Sequence, residues 1–196
     1  MTRRVVAVAT RNPGKLREIR AILGECGLEL RAVDDSVSFP DEGDDYEANA
    51  VQKARAAADA LGVPALADDS GLEVDALAGA PGPRSARYGG SGLDDAGRAA
   101  HLLEALAGVP REKRGARFVC IAALVRPDGS ASSARGVCEG RILTAPRGAG
   151  GFGYDPVFWI DELGAAAAEL PPSAKDRVSH RARAVRGLGD ALAALD

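Results

Sequence analysis

Twice in this chain a short apolar, β-rich run empties straight into a polar cluster, and that pattern constrains the fold more than any other feature. Residues 4–9 run into Thr10-Arg11-Asn12-Pro13-Gly14-Lys15, and a helical stripe of Leu16, Ile19, Ile22 and Leu23 follows. Residues 65–67 run into Asp68-Asp69-Ser70-Gly71. Strands that deliver polar groups at their ends and turn into helices build α/β proteins, which place their sites at those ends. The first cluster brings cationic donors and the second brings carboxylates, a pairing suited to phosphate and a divalent cation together.

The remaining pattern agrees with an α/β chain. Residues 15–26 read as a helix stopped at Gly27, and residues 28–33 as a second strand. Residues 34–45 are acidic and turn-rich, a loop. Residues 46–61 form an Ala-rich helix stopped by Gly62 and Pro64, and the Gly- and Pro-rich residues 71–92 form an ordered loop region. Residues 94–106 read as a helix with Asp94 or Asp95 as its N-cap. Residues 117–126 and 132–143 flank Pro127-Asp128-Gly129-Ser130, a hairpin signal. A short strand over 156–160 and a closing helix over 179–195 complete the chain. The expectation is one domain over residues 1–196, α/β, with a central mixed sheet flanked by helices.

Composition removes several classes of function. A net charge of −3 argues against a broad nucleic-acid footprint, which needs a basic face. Three cysteines (Cys26, Cys120, Cys138) without CxxC spacing suggest reduced thiols. Two histidines make a His-rich zinc site improbable, so any metal is expected to be Mg²⁺ on oxygen ligands. No apolar run approaches the roughly 20 residues of a membrane span. The apolar run near the N-terminus is too short for a signal peptide, and a cytoplasmic protein is expected.

The polar segments carry the chemistry. Gly14 permits close backbone approach, a helix start is expected to offer free N–H groups, and Lys15 adds a point charge. This is not a Walker A loop, because Ala9 and Leu16 stand where that motif needs Gly and Ser or Thr. Adjacent carboxylates such as Asp68 and Asp69 repel unless a cation neutralises them, and Asp69 could take a proton from water. Gly148-Ala149-Gly150-Gly151-Phe152-Gly153 formally matches GxGxxG, but Tyr154-Asp155-Pro156 and a β-rich run follow where a helix should begin. Glycines beside Phe152 suit a flexible rim with an aromatic face for a base. Arg111, Lys113 and Arg114 read as solvated surface.

Taken together, ATRNPGK, YEANAVQKA, LADDSGLEVDALAGAPGPRSARYGG, GGFGYDPVF and Lys175 with His180-Arg181 resemble the inosine triphosphate pyrophosphatase family, in order and over nearly the whole chain. The resemblance implies hydrolysis of ITP, dITP and XTP to the monophosphate and pyrophosphate, and an elongated two-lobed fold with the site in a cleft between the lobes. It implies a homodimer, a purine nucleoside triphosphate as partner rather than a nucleic acid polymer or a membrane, and Mg²⁺ as cofactor. By resemblance, Thr10, Arg11, Asn12, Pro13, Gly14 and Lys15 bind triphosphate and Lys53 adds a phosphate contact. Asp69 is the catalytic residue and a metal ligand. Ser70, Phe152, Gly153, Tyr154 and Asp155 line the pocket, and Lys175, His180 and Arg181 contact the base and nearby phosphate. The family's metal-associated acidic residue falls on Asp41 or Glu42, both of which remain candidates.

Overall fold

The computed structural model describes residues 4–24 and 26–195. The strands are β1 (Arg4–Val8), β2 (Leu28–Ala32), β3 (Ala65–Val74), β4 (Pro81–Gly82), β5 (Gly115–Val125), β6 (Ala131–Ile142), β7 (Phe158–Ile160) and β8 (Ala165–Ala166). The helices are α1 (Pro13–Leu23), α2 (Tyr46–Leu61), α3 (Asp95–Ala105), α4 (Pro172–Val178), α5 (His180–Gly187) and α6 (Gly189–Ala193). The strands form one sheet in the order β2-β1-β3-β5-β6-β7-β8, with β4 on β3. β1 runs parallel to β2 and β3, while β7 is antiparallel to β6 and β8, so the sheet is mixed.

The chain divides into two compact units. One holds the described residues up to Asp69, Cys120–Gly136 and the chain from His180 onward. In it, alternation along the strands serves two layers of helix. Val6, Val8 and Leu66 pack with Ile19 and Leu23 of α1 and Val185 of α5. The intervening Ala7, Ala9, Ala65 and Ala67 pack with Ala50, Ala54, Ala57 and Ala58 of α2. Period-two side chains on a strand covered on both faces produce this division. The second unit holds Ser70–Val119 and Val137–Ser179. Its core joins Leu72, Val74, Leu102, Leu106, Ile142 and Phe158.

Local signals explain the elements that match expectation. Asp45 caps α2 by accepting from the Ala48 N–H at 2.8 Å, and Gly62 ends it in the left-handed conformation. Asp94, not Asp95, caps α3 through the Gly97 N–H. The turn at Pro127-Asp128-Gly129 closes with the Gly129 N–H on the Arg126 carbonyl at 2.9 Å.

Four expectations are corrected. β3 does not end before the carboxylate pair; it runs through Asp68 to Val74, its far half paired with β4. Asp and Gly read as turn signals, but here tertiary partners satisfy them. The closing helix is broken: α5 stops at Gly187 and α6 starts at Gly189. α4, which Pro172 opens, was not expected at all. Arg114 is not solvated. It is buried, and its Nε, Nη1 and Nη2 donate to the carbonyls of Val109, Leu143 and Leu106 at 2.9, 3.0 and 2.8 Å.

A fork that satisfies three carbonyls cannot be replaced by a single-point donor. Arg114→Ala is expected to lower the unfolding free energy by about 2–4 kcal/mol, since each carbonyl left buried and unpaired is costly. Urea denaturation of this variant and of Arg114→Lys checks it; Lys should recover only part of the loss.

Candidate active site

β1 delivers Thr10 to Lys15 beside β3, and the start of α1 is built from that segment's own side chains. The Thr10 hydroxyl accepts from the Asn12 N–H at 3.2 Å. Asn12 Oδ1 accepts from the N–H groups of Gly14 and Lys15 at 2.8 and 3.1 Å, and the Leu16 N–H reaches the Asn12 carbonyl. Pro13 has no N–H to offer. The free backbone donors expected at this helix start are therefore taken, and Lys15 and Arg11 carry what the segment can present to an anion. Arg11 is exposed; it donates to the Val37 carbonyl at 2.8 Å and lies over the Phe39 ring. It ties down the acidic loop.

The carboxylate pair sits inside a strand, so its two members face opposite ways. Asp68 follows Leu66 onto the face of α1 and α5. Its Oδ2 meets Lys15 Nζ at 3.0 Å and Arg181 Nε at 3.1 Å. Arg181 Nη1 in turn holds Glu18 of α1. The Asp68 side chain is 0% exposed and that of Lys15 17%, so the chain of charges surfaces at Lys15. Burial alone would raise the Asp68 carboxyl, but Lys15, Arg181 and Lys53 together hold it well below the usual carboxylate range. Its Oδ1 is buried with no hydrogen-bond partner among the described residues. Cys120 Sγ lies 3.8 Å from Oδ2, and burial pushes that thiol up, so it is inert.

Asp69 follows Ala67 onto the face of α2. Its Oδ2 accepts from Asn49 Nδ2 at 2.9 Å and its Oδ1 lies 3.2 Å from Lys53 Nζ. Asn49 and Lys53 are four residues apart on α2 and share one face. Lys53 Nζ also meets Glu42 Oε1 at 2.6 Å, and Asn49 exchanges hydrogen bonds with both backbone groups of Gly43. Burial pushes the Asp69 carboxyl up, against the pull of Lys53 and Asn49. Lys53 goes up despite its burial, because Asp69, Asp68 and Glu42 surround it. Glu42 and Asp69 thus converge on one cation, whereas Asp41 is exposed and makes no ion pair among the described residues. Glu42 and Asp69 carry the hard oxygen donors that Mg²⁺ takes, and here both contact the Lys53 ammonium. Among the described residues no group of three His, Cys, Asp or Glu could hold a metal unaided.

α5 begins at His180, which is buried. It packs close to β6 at Gly136, where an added Cβ would lie 2.1 Å from the His180 carbonyl oxygen. That approach carries Arg181 to Asp68. Arg181 is thereby turned inward between two carboxylates.

In the second unit, the glycine-rich segment is organised by Asp155. Its Oδ2 accepts from the Phe152 N–H at 2.9 Å and pairs with Lys175. A Cβ on Gly151 would meet that oxygen at 2.0 Å, so only glycine fits there. Lys175 Nζ lies 4.9 Å from the centroid of the half-buried Phe152 ring. The Gly153 N–H donates to Asp95 at 2.7 Å. Tyr154 is buried in the core with its hydroxyl on the Ser85 carbonyl, so it anchors the segment and offers no ring face to a base. Ser70 is half-buried in β3.

Two residues of the charged clusters were missed from sequence, Glu18 and Asn49. Each sits at helical spacing from a residue that was named, three from Lys15 and four from Lys53, and that spacing was the available signal.

A model of the Ham1 family matches residues 6–191. The chain is 52% identical over 195 residues to the dITP/XTP pyrophosphatase of Geobacter sulfurreducens, covering 98% of this chain and 97% of the relative. It is 50% identical over 201 residues to that of Nocardia farcinica, covering 100% and 98%. Among solved structures, a HAM1 protein from Coxiella burnetii superposes with a TM-score of 0.86 at 39% identity, covering 97% of this chain and 98% of that one.

The two carboxylates should differ sharply when removed. Asp68→Ala is expected to cost about 3–5 kcal/mol of stability, because Arg181 and Lys15 lose their shared counter-charge. Asp69→Asn, at a carboxyl that burial already disfavours, should cost less than about 1 kcal/mol. Thermal and urea denaturation of both variants compares them.

Proposed function

From the chain's membership of the Ham1 family, we propose that it hydrolyses the non-canonical purine nucleoside triphosphates ITP, dITP and XTP to the nucleoside monophosphate and pyrophosphate. The full-length likeness to dITP/XTP pyrophosphatases at about half identity supports the substrate class. The observation that carries the chemistry is Asp69, a carboxylate held by Asn49 and Lys53 and disfavoured by burial.

In this reading Asp69 accepts a proton from a water that attacks the α-phosphorus. A new P–O bond forms there, the bond from that phosphorus to the α–β bridging oxygen breaks, and pyrophosphate leaves. A base whose charged form is penalised by burial gains from taking the proton. Lys15 and Lys53 stabilise charge developing on the phosphate oxygens, with Arg11 beside them and Thr10, Asn12, Pro13 and Gly14 shaping the turn. Mg²⁺, held by Asp69 and Glu42, would add positive charge at the same oxygens when bound. Glu42 is preferred over Asp41 because it meets Lys53.

Base recognition is assigned to Phe152, braced by Lys175 and Asp155, with Ser70, Gly153 and His180 in support. Lys175 and His180 are assigned as donors to the 6-oxo group. A 6-amino group would leave such donors unpaired, at about 1–3 kcal/mol. Tyr154 and Arg181 act indirectly, through the positions of their neighbours. We further place the enzyme in the cytoplasm as a homodimer. No described helix is long and apolar enough to cross a membrane.

Pyrophosphate release measured over ITP, dITP, XTP, GTP, ATP, dTTP and UTP tests the reading. kcat/KM for ITP and XTP should exceed that for ATP by about 10- to 100-fold, following from that unpaired-donor cost. EDTA should abolish turnover and Mg²⁺ restore it. Asp69→Asn should lower kcat at least about 100-fold, the usual scale for a lost general base. Full turnover in that variant, or a preference for dTTP and UTP, would overturn the assignment.

A further inference from the structure

Glu18 belongs to none of the motifs that carry the resemblance to known pyrophosphatases as a ligand or catalyst, yet it is buried on the polar side of α1, one turn beyond Lys15. Burying a carboxylate is costly, and an apolar pair commonly stabilises such a position as well as an ion pair does. Its partner explains where it sits. Glu18 Oε2 holds Nη1 of Arg181, Arg181 Nε reaches Asp68 Oδ2 at 3.1 Å, and the same oxygen meets Lys15 Nζ at 3.0 Å. Charges alternate along this line from Glu18 to Lys15.

The geometry of Arg181 is the informative part. Guanidinium groups facing a carboxylate commonly pair through two parallel N–H bonds. Here Arg181 Nε donates to Asp68 Oδ2, and Asp68 Oδ1 is buried with no hydrogen-bond partner among the described residues. Glu18 holds Nη1, on the other side of the guanidinium from Nε, and so restrains the group from turning further onto Asp68. Without that hold, Arg181 is expected to grip both oxygens of Asp68 and release Lys15.

We propose that Glu18 is a positioning residue for the triphosphate: by restraining Arg181 it keeps Asp68 as the anchor of Lys15, and so fixes the ammonium that meets phosphate. This rests on the reading of Lys15 as a phosphate contact. Glu18 acts through Lys15, so its loss should weaken substrate binding and leave the chemical step nearly intact.

A double-mutant cycle tests it, with steady-state kinetics on ITP and thermal denaturation of every variant. Glu18→Gln should raise KM about tenfold with kcat within about threefold, the signature of lost uniform binding. Glu18→Asp, which keeps the charge, should recover most of that loss. Lys15→Met alone should raise KM, and adding Glu18→Gln to it should raise KM no further. The proposal is overturned if Glu18→Gln leaves KM at the wild-type value, multiplies KM equally in both backgrounds, or fails to fold. If Lys15→Met itself leaves KM unchanged, the phosphate reading fails with it, and that result is distinct from failure at Glu18 alone.

Discussion

The period of a β-strand settles what the adjacent carboxylates at Asp68 and Asp69 can do. Two neighbouring acids in a turn would share one environment and repel each other. In β3 they point to opposite faces, Asp68 toward α1 and α5 and Asp69 toward α2. Each then meets its own cations, Lys15 and Arg181 on one side and Lys53 on the other. The helices of the first unit are placed by the same alternation: the valines and Leu66 face α1 and α5, and the small alanines face α2. Core packing and charge placement are thus one pattern, read first in apolar and then in acidic residues.

This arrangement separates stability from chemistry. Asp68 is paired twice and held firmly ionised, so its removal would take a counter-charge from the buried Arg181 and the partly exposed Lys15. Asp69 has a cation and an amide donor, yet burial still outweighs them and its carboxyl is pushed up. A group that burial disfavours as an anion is a better proton acceptor than one locked in ion pairs. The neighbouring position along the backbone gives the firmly ionised acid and the acid that burial disfavours different surroundings at no cost in chain length.

Much of the fold was legible because its signals are local. Asp45 and Gly62 mark both ends of α2, and Pro127-Asp128-Gly129 marks a turn, through hydrogen bonds made within a few residues. What was not legible depends on partners distant in sequence. Asp68-Asp69-Ser70-Gly71 carries turn-forming residues, and only Lys15, Arg181, Asn49 and Lys53 make it tolerable inside a strand. Arg114 looks like any surface arginine until three carbonyls close around it. The resemblance to the inosine triphosphate pyrophosphatase family named most of the charged residues, but it could not say that Arg181 faces inward, or that Asn12 uses the helix N–H groups itself.

The second unit shows the same economy in a glycine-rich segment that only formally resembles a dinucleotide loop. A dinucleotide loop uses its glycines to bring phosphate to a helix start. Here one carboxylate, Asp155, takes the place of such a ligand: it accepts from the Phe152 N–H and pairs with Lys175, and the room it needs is the missing side chain of Gly151. With the glycines serving an internal anion, the segment is left with the half-buried Phe152 ring and the buried Lys175 ammonium beside it. An aromatic face next to a cation can stack a base and donate to its edge, whereas it has little to offer a pyrophosphate. The motif's chemistry follows from what its glycines make room for, not from their spacing.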